Sequence, residues 1–196
     1  MPLPCIARPG PASCIPPGMV NPVPERKQFM KDNIYLIGFM GSGKTAVSRY
    51  LGRHYGFRVI EMDDQIESMA GMKISEIFRI KGEEEFRRME TDLLTRIAGE
   101  GGAVVSCGGG TAVRQENVRI MKASGTVVYL CASAPTILQR VKHSSHRPLL
   151  EGHKTLEEIE AFLEKRRPFY ENAADRTVPV DSRTLGEISR DIVPHK

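Results

Sequence analysis

Residues 38–45 read Gly-Phe-Met-Gly-Ser-Gly-Lys-Thr and fit the pattern G-x-x-x-x-G-K-[ST]. Glycines at these places let successive backbone N–H groups turn toward the β- and γ-phosphate oxygens of a nucleoside triphosphate. Lys44 adds a point charge to the same phosphates, Thr45 offers a hydroxyl to Mg²⁺, and a helix starting there aims its positive end at the anion. The spacing therefore predicts an ATP site over Gly41, Ser42, Gly43, Lys44, Thr45 and Ala46. A phosphate loop does not say which acceptor is used, or whether the triphosphate drives transfer, switching or work. The chain contains no N-K-x-D guanine-reading tetrad and little length for motor elements, which leaves a small-molecule kinase as the leading class.

The acceptor side has three candidate groups. Glu61-Met62-Asp63-Asp64 follows a predicted strand, where Asp63 could orient an acceptor hydroxyl and take its proton, or could simply cap the next helix. Residues 82–90, Gly-Glu-Glu-Glu-Phe-Arg-Arg-Met-Glu, place Arg87 and Arg88 on adjacent helical positions, so that one faces inward if Phe86 packs near the core. Arg87 could equally form a solvated i,i+3 pair with Glu90. Residues 164–170, Glu-Lys-Arg-Arg-Pro-Phe-Tyr, read either as a basic helix end or as the source of a second arginine. Two arginines from distant segments would make a planar, multi-donor clamp for a carboxylate. The residues alone thus reach an ATP-dependent kinase of a small, hydroxylated, anionic acceptor.

These groups need a scaffold, and the pattern of apolar runs supplies one. Asn33 to Ile37, Phe57 to Ile60, Ala103 to Cys107 and Thr126 to Ala132 are short β-prone runs, with Thr177 to Val180 a fifth that tolerates an edge because it holds Pro179. Between them, helical periodicity covers Val47–Leu51, Asp63–Met69, Ile74–Lys81, Glu83–Ala98, Gln115–Ala123 and Pro135–Lys142, punctuated by Gly56, Gly71 and Gly82. Thr155 with Glu158, and Thr184 with Glu187, form capping boxes for two further helices, the first running toward Pro168. Continuous apolar strands separated by helices predict an α/β fold with a parallel sheet covered on both faces.

Composition sets the outer limits. The chain has 196 residues, 40% hydrophobic and 27% charged, with a net charge of +4 and no basic tract of the kind that marks a nucleic-acid surface. No apolar run approaches the ~18 residues a bilayer span needs. Eight of the 13 prolines fall within the first 24 residues, so residues 1–31 read as a disordered, Pro-rich tail before a domain at 32–196. The tail lacks the basic start and uninterrupted apolar core of a signal peptide and the arginines of a transit peptide, which points to a cytoplasmic protein. Cys5, Cys14, Cys107 and Cys131 show no C-x-x-C spacing, and His143, His146 and His153 have no acidic or cysteine partner in register for zinc.

Taken together, G-F-M-G-S-G-K-T, M-D-D-x-I-E, G-E-x-x-F-R-R-x-E, the Gly108–Gly110 triplet, His146-Arg147-Pro148-Leu149-Leu150 and K-R-R-P-x-Tyr170 resemble the shikimate kinase family from about Asn33 to Val193. The resemblance implies a three-layer phosphate-loop kinase fold with a five-stranded parallel sheet, an acceptor subdomain at about 61–91 and a lid at about 142–155. It implies phosphorylation of the shikimate 3-hydroxyl by ATP with Mg²⁺, in a monomer without nucleic-acid or membrane partners. Lys44, Asp63 and Arg147 would be catalytic, with Arg147 closing onto the transferring phosphate. Asp63, Arg87, Gly109, Gly110 and Arg166 would bind shikimate, Arg140 would flank adenine near Asp181, and Thr45 would hold the metal. The family usually carries Asp-x-Asp after the second strand; here Glu61 replaces the first Asp and would reach the metal through water, with one methylene of extra length. Other readings remain at this point: a gluconate- or nucleoside-monophosphate-type kinase, or a nucleotide-binding regulatory domain without catalysis.

Overall fold

A computed structural model of the chain describes residues 32–141 and 155–193. The proline-rich tail, Cys5, Cys14, the three clustered histidines and nearly all of the expected lid, with Arg147, lie outside the described residues. Five strands, β1 (Asn33–Ile37), β2 (Arg58–Glu61), β3 (Ala103–Ser106), β4 (Gly125–Cys131) and β5 (Arg176–Pro179), form one sheet in the order β2-β3-β1-β4-β5. Every pairing in it is parallel. All residues of β1 and β3 are buried, and because successive side chains point to opposite faces, the sheet is covered on both. That is the three-layer arrangement the apolar runs predict, and Pro179 does sit on an edge strand.

The helices are α1 (Lys44–Tyr55), α2 (Met62–Ala70), α3 (Ile74–Glu100), α4 (Gln115–Ser124), α5 (Ala134–Val141), α6 (Leu156–Ala173) and α7 (Leu185–Ile192), with a 3₁₀ turn at Thr111–Val113. Helix α3 joins two predicted helices across Gly82, whose φ of 84° and ψ of 165° break the helical path where the sequence places the punctuation. Both expected capping boxes form: Glu158 N–H donates to Thr155 Oγ1 and Glu187 N–H to Thr184 Oγ1. Helix α6 departs from expectation by continuing through Pro168 to Ala173. Proline removes one helical hydrogen bond, but Tyr170 and Ala173 are both buried beyond it and hold the last turns in place.

Strand β1 is central, and its first residue shows how a polar side chain serves a core. Asn33 is fully buried, donates from Nδ2 to Tyr35 Oη at 3.0 Å and to the Ile97 carbonyl at 3.1 Å, and accepts from Ala103 N–H at 3.0 Å. Three elements are tied together with no unpaired amide group left in the interior. Cys107, just after β3, is buried, and burial pushes its thiol pKa up, so it stays a neutral core residue as its position at the end of an apolar run predicts. No described helix is long and apolar enough to cross a membrane.

Candidate active site

The functional residues gather at the carboxyl ends of β1, β2 and β3. Register places Glu61 opposite Ser106 and Leu36 opposite the same residue, so the chain leaves all three strands at one level of the sheet. In a doubly wound sheet this is where a ligand crevice opens. From β1 the chain enters the glycine loop. Gly43, with φ of 102°, stands at the N-cap of α1 without a side-chain cap, which leaves the helix start to an outside anion. Lys44 Nζ folds over the loop and donates to the carbonyls of Gly38 at 2.8 Å and Phe39 at 3.1 Å. Arg140 of α5 donates to the carbonyls of Gly41 and Ser42 at 3.2 and 3.1 Å, bracing the loop from the other side. Asp181 accepts from the N–H of Ser133 just before α5, so the two segments expected around adenine are joined. These hydrogen bonds, to Ser133 and to Thr136, hold the Asp181 carboxyl below its ordinary range although burial opposes them.

At the end of β2, Glu61 accepts from Thr45 Oγ1 at 2.9 Å and from Ser48 Oγ at 2.5 Å. The N-cap of α2 is Glu61, and Asp63 sits inside the first turn with its side chain exposed, so the helix-capping alternative for Asp63 is not what the backbone adopts. Its carboxylate instead faces the glycine triplet: a Cβ placed on Gly108 would lie 3.0 Å from Asp63 Oδ1 and 2.8 Å from Glu90 Oε1. At Gly110 the intruder would meet the Arg87 guanidinium, 2.5 Å from Nη1. Gly108 and Gly110 leave no room for a side chain because those from α2 and α3 close on their backbone. A Cβ on Gly109 would meet only Met40 N, at 3.9 Å, which puts the triplet beside the phosphate loop.

Arg87 does turn inward while Arg88 stays out, their side chains being 14% and 65% exposed. The pair with Glu90 exists, but it is not solvated. Arg87 Nη1 meets Glu90 Oε2 at 2.6 Å, and the Glu90 side chain is 1% exposed. Burial opposes the Arg87 charge, yet Glu90 and Glu83 outweigh it and raise the pKa further. The second Glu90 oxygen accepts from Thr111 Oγ1 at 2.6 Å, and Asn117 links the Thr111 carbonyl to Thr91 on α3. Every oxygen of the buried carboxylate is thus matched, and the arginine is fixed by a network spanning α3, the 3₁₀ turn and α4.

The sequence matches the shikimate kinase family over residues 40–195. A shikimate kinase of Persephonella marina is 41% identical over 161 residues, 82% of this chain and 96% of its own length. The chain belongs to the shikimate kinase family. The structure of an Acinetobacter baumannii shikimate kinase in complex with shikimate superposes with a TM-score of 0.78 at 33% identity, covering 85% of this chain and 94% of that one. A gluconokinase of Sinorhizobium meliloti, at 19% identity and a TM-score of 0.51, shares the fold alone.

Of the residues expected from the family resemblance, Gly41–Thr45, Arg140, Glu61, Asp63, Arg87, Gly109 and Gly110 converge on this crevice. Arg166 is half-buried on α6, one turn before Tyr170, and its charge and that of Arg87 both act on the Tyr170 phenol. Sequence reasoning missed three contributors: Glu90 as a buried anchor, Thr111 as its hydroxyl partner, and Tyr170, whose Oη donates to the Gly109 carbonyl at 2.6 Å. Tyr170 follows the double arginine at helical spacing, which was the available signal.

Burial pushes the Tyr170 phenol up to about 12 from an ordinary 10.0, against the opposing pull of Arg166 and Arg87. Between those values the unfolded chain loses its tyrosine proton while the folded chain keeps it, so stability present below pH ~10 is lost as pH rises toward ~12. Denaturant midpoints measured from pH 9 to 11.5 are expected to fall, and to fall less steeply in Tyr170→Phe. An unchanged slope in that variant would contradict the buried phenol.

Proposed function

We propose that this chain transfers the γ-phosphoryl group of ATP to the 3-hydroxyl of shikimate, giving shikimate 3-phosphate and ADP, a step toward chorismate and the aromatic amino acids. The observation that carries this reading is the acceptor side of the crevice. An arginine anchored by a buried glutamate, a backbone stripped of side chains and an exposed aspartate lie together beside a phosphate loop. A carboxylate needs the first, close approach needs the second, and a hydroxyl needs the third.

In this mechanism the carboxylate of shikimate pairs with Arg87 and Arg166, and Gly109 and Gly110 offer backbone amides. Asp63 accepts the proton of the 3-hydroxyl as its oxygen bonds to the γ-phosphorus, while the bond from that phosphorus to the β–γ bridging oxygen breaks and ADP leaves. Lys44 and the N–H groups at the start of α1 stabilise charge on the phosphates, which in a loose phosphoryl-transfer transition state is most of what catalysis requires. Thr45 and Glu61 are hard oxygen donors, and no described cluster of three or more His, Cys, Asp or Glu competes with them for a metal. That set suits Mg²⁺, which typically takes few protein ligands together with substrate phosphates and water. Mg²⁺, when bound there, neutralises charge on the β- and γ-oxygens. Arg147 and the lid at about 142–155 are proposed to close over the phosphates, and residues 61–91 to act as the acceptor subdomain.

An ADP-release assay tests the reading: turnover with shikimate and none above background with gluconate or nucleoside monophosphates is expected, and the reverse pattern would refute it. The arginine clamp makes a separate prediction. Truncating one side of a desolvated charge pair costs roughly 2–5 kcal/mol. Arg87→Ala and Arg166→Ala should therefore weaken shikimate binding by at least about tenfold while ADP affinity, read by calorimetry, stays nearly constant. Equal loss for both ligands would make the arginines structural.

A further inference from the structure

Ser48 lies one turn beyond Thr45 on α1 and is fully buried. A helical serine ordinarily gives its proton to a carbonyl three or four residues back. Ser48 does approach the Thr45 carbonyl, at 3.0 Å, but the Glu61 carboxylate is nearer, with Oγ to Oε1 at 2.5 Å. The other Glu61 oxygen accepts from Thr45 Oγ1 at 2.9 Å. One carboxylate is therefore held at both ends by hydroxyls from consecutive turns of the same helix. Its backbone is held as well, since Glu61 closes the β2–β3 register opposite Ser106.

This arrangement fixes something a lone carboxylate would not. A hydroxyl carries one proton and two lone pairs, and its rotation decides where each points. With its proton committed to Glu61, Thr45 Oγ1 presents lone pairs elsewhere, which is the orientation a cation ligand needs. A glutamate side chain has one more torsion than an aspartate and would sample several carboxylate positions if anchored at one oxygen only. The second anchor removes that freedom. Such outer partners commonly orient the groups that meet a metal directly.

We propose that Ser48 is a positioning residue, which pins the Glu61 carboxylate so that Glu61 in turn sets the Thr45 hydroxyl for a divalent cation bound with the nucleotide. The inference rests on the reading of Thr45 as a cation ligand. It gives the longer side chain at position 61 a partner suited to its reach.

Calorimetry of ADP binding to the full chain, with and without Mg²⁺, separates these ideas. The quantity of interest is the ratio of the two affinities. In Ser48→Ala that ratio should fall by about fivefold or more, as loss of one hydrogen bond to a charged group implies, while metal-free ADP affinity changes less than about twofold. Ser48→Cys, which fills the same buried space with a weak donor, should shift the ratio in the same direction. In a Glu61→Ala background, adding Ser48→Ala should leave the ratio as it was. A ratio equal to wild type in both Ser48 variants overturns the proposal, as does equal weakening with and without metal, or a full additional loss on top of Glu61→Ala. If wild-type binding itself ignores Mg²⁺, the Thr45 reading falls and takes this inference with it.

Discussion

Lys44→Ala is expected to lower kcat by on the order of 10²–10³ with little change in Tm, because its contribution is electrostatic and is made chiefly as charge develops on the phosphates. In the structure the ammonium lies across the glycine loop, bonded to the Gly38 and Phe39 carbonyls. Those bonds are neutral acceptors at a partly open surface, so losing them costs the fold little. The arriving triphosphate offers the same ammonium a much stronger partner within reach of its flexible stem. Lys44→Arg keeps the charge but replaces a compact point with a planar fork, and is expected to recover only part of the loss. Steady-state kinetics on both variants check this. Turnover of Lys44→Ala within a fewfold of wild type would remove Lys44 from the catalytic account.

The second large effect is expected at Glu90. Its carboxylate is buried and pairs with Arg87 and Thr111, so Glu90→Ala strands a mostly buried guanidinium and a buried hydroxyl at once. Breaking a buried pair by deleting one partner costs about 3–5 kcal/mol, since the remaining charge keeps its desolvation penalty without its attraction. Arg87 retains Glu83, but that side chain is largely exposed and screened, so it offsets little of the loss. The same variant should weaken shikimate binding, because an arginine freed from Glu90 no longer holds its place against Gly110. Glu90→Gln, which keeps the Thr111 contact and the side-chain volume, should be less destabilising. Denaturant unfolding and shikimate calorimetry read the two consequences separately. A stability loss under about 1 kcal/mol in Glu90→Ala would mean that the pair is not the buried anchor described.

How much of this was readable beforehand follows from the range of each interaction. The glycine loop, the Gly82 break and the capping boxes at Thr155 and Thr184 are encoded by residues within a few positions of one another, and each forms where its pattern lies. That one of Arg87 and Arg88 turns inward was legible from Phe86 beside them, but the residues alone did not say which, and only the family resemblance pointed to Arg87. The fate of Glu90 was not. An i,i+3 acid after an arginine looks the same whether it faces water or Thr111, and that partner comes from 21 residues away. The passage of α6 through Pro168 likewise depends on Tyr170 reaching Gly109, a contact across 61 residues that no local rule encodes. Strand order belongs to the same class, since β2 and β3 pair side by side although two helices separate them in the chain.

Glu61 shows how the two levels join. Sequence marks it as a departure from the family's usual aspartate, and the structure supplies the accommodation, a carboxylate reaching back to two hydroxyls on α1. The negative charge stays beside Thr45 at the start of α1, and the other carboxylate oxygen meets Ser48 Oγ.

The most direct measurement of the central claim is the fate of the phosphoryl group. The full chain incubated with MgATP and shikimate, followed by phosphorus and proton NMR, should yield one new phosphomonoester coupled to the proton on C3 of shikimate, in step with ADP. ADP formed without a phosphorylated acceptor, phosphate on another hydroxyl, or no shikimate-dependent turnover would contradict it.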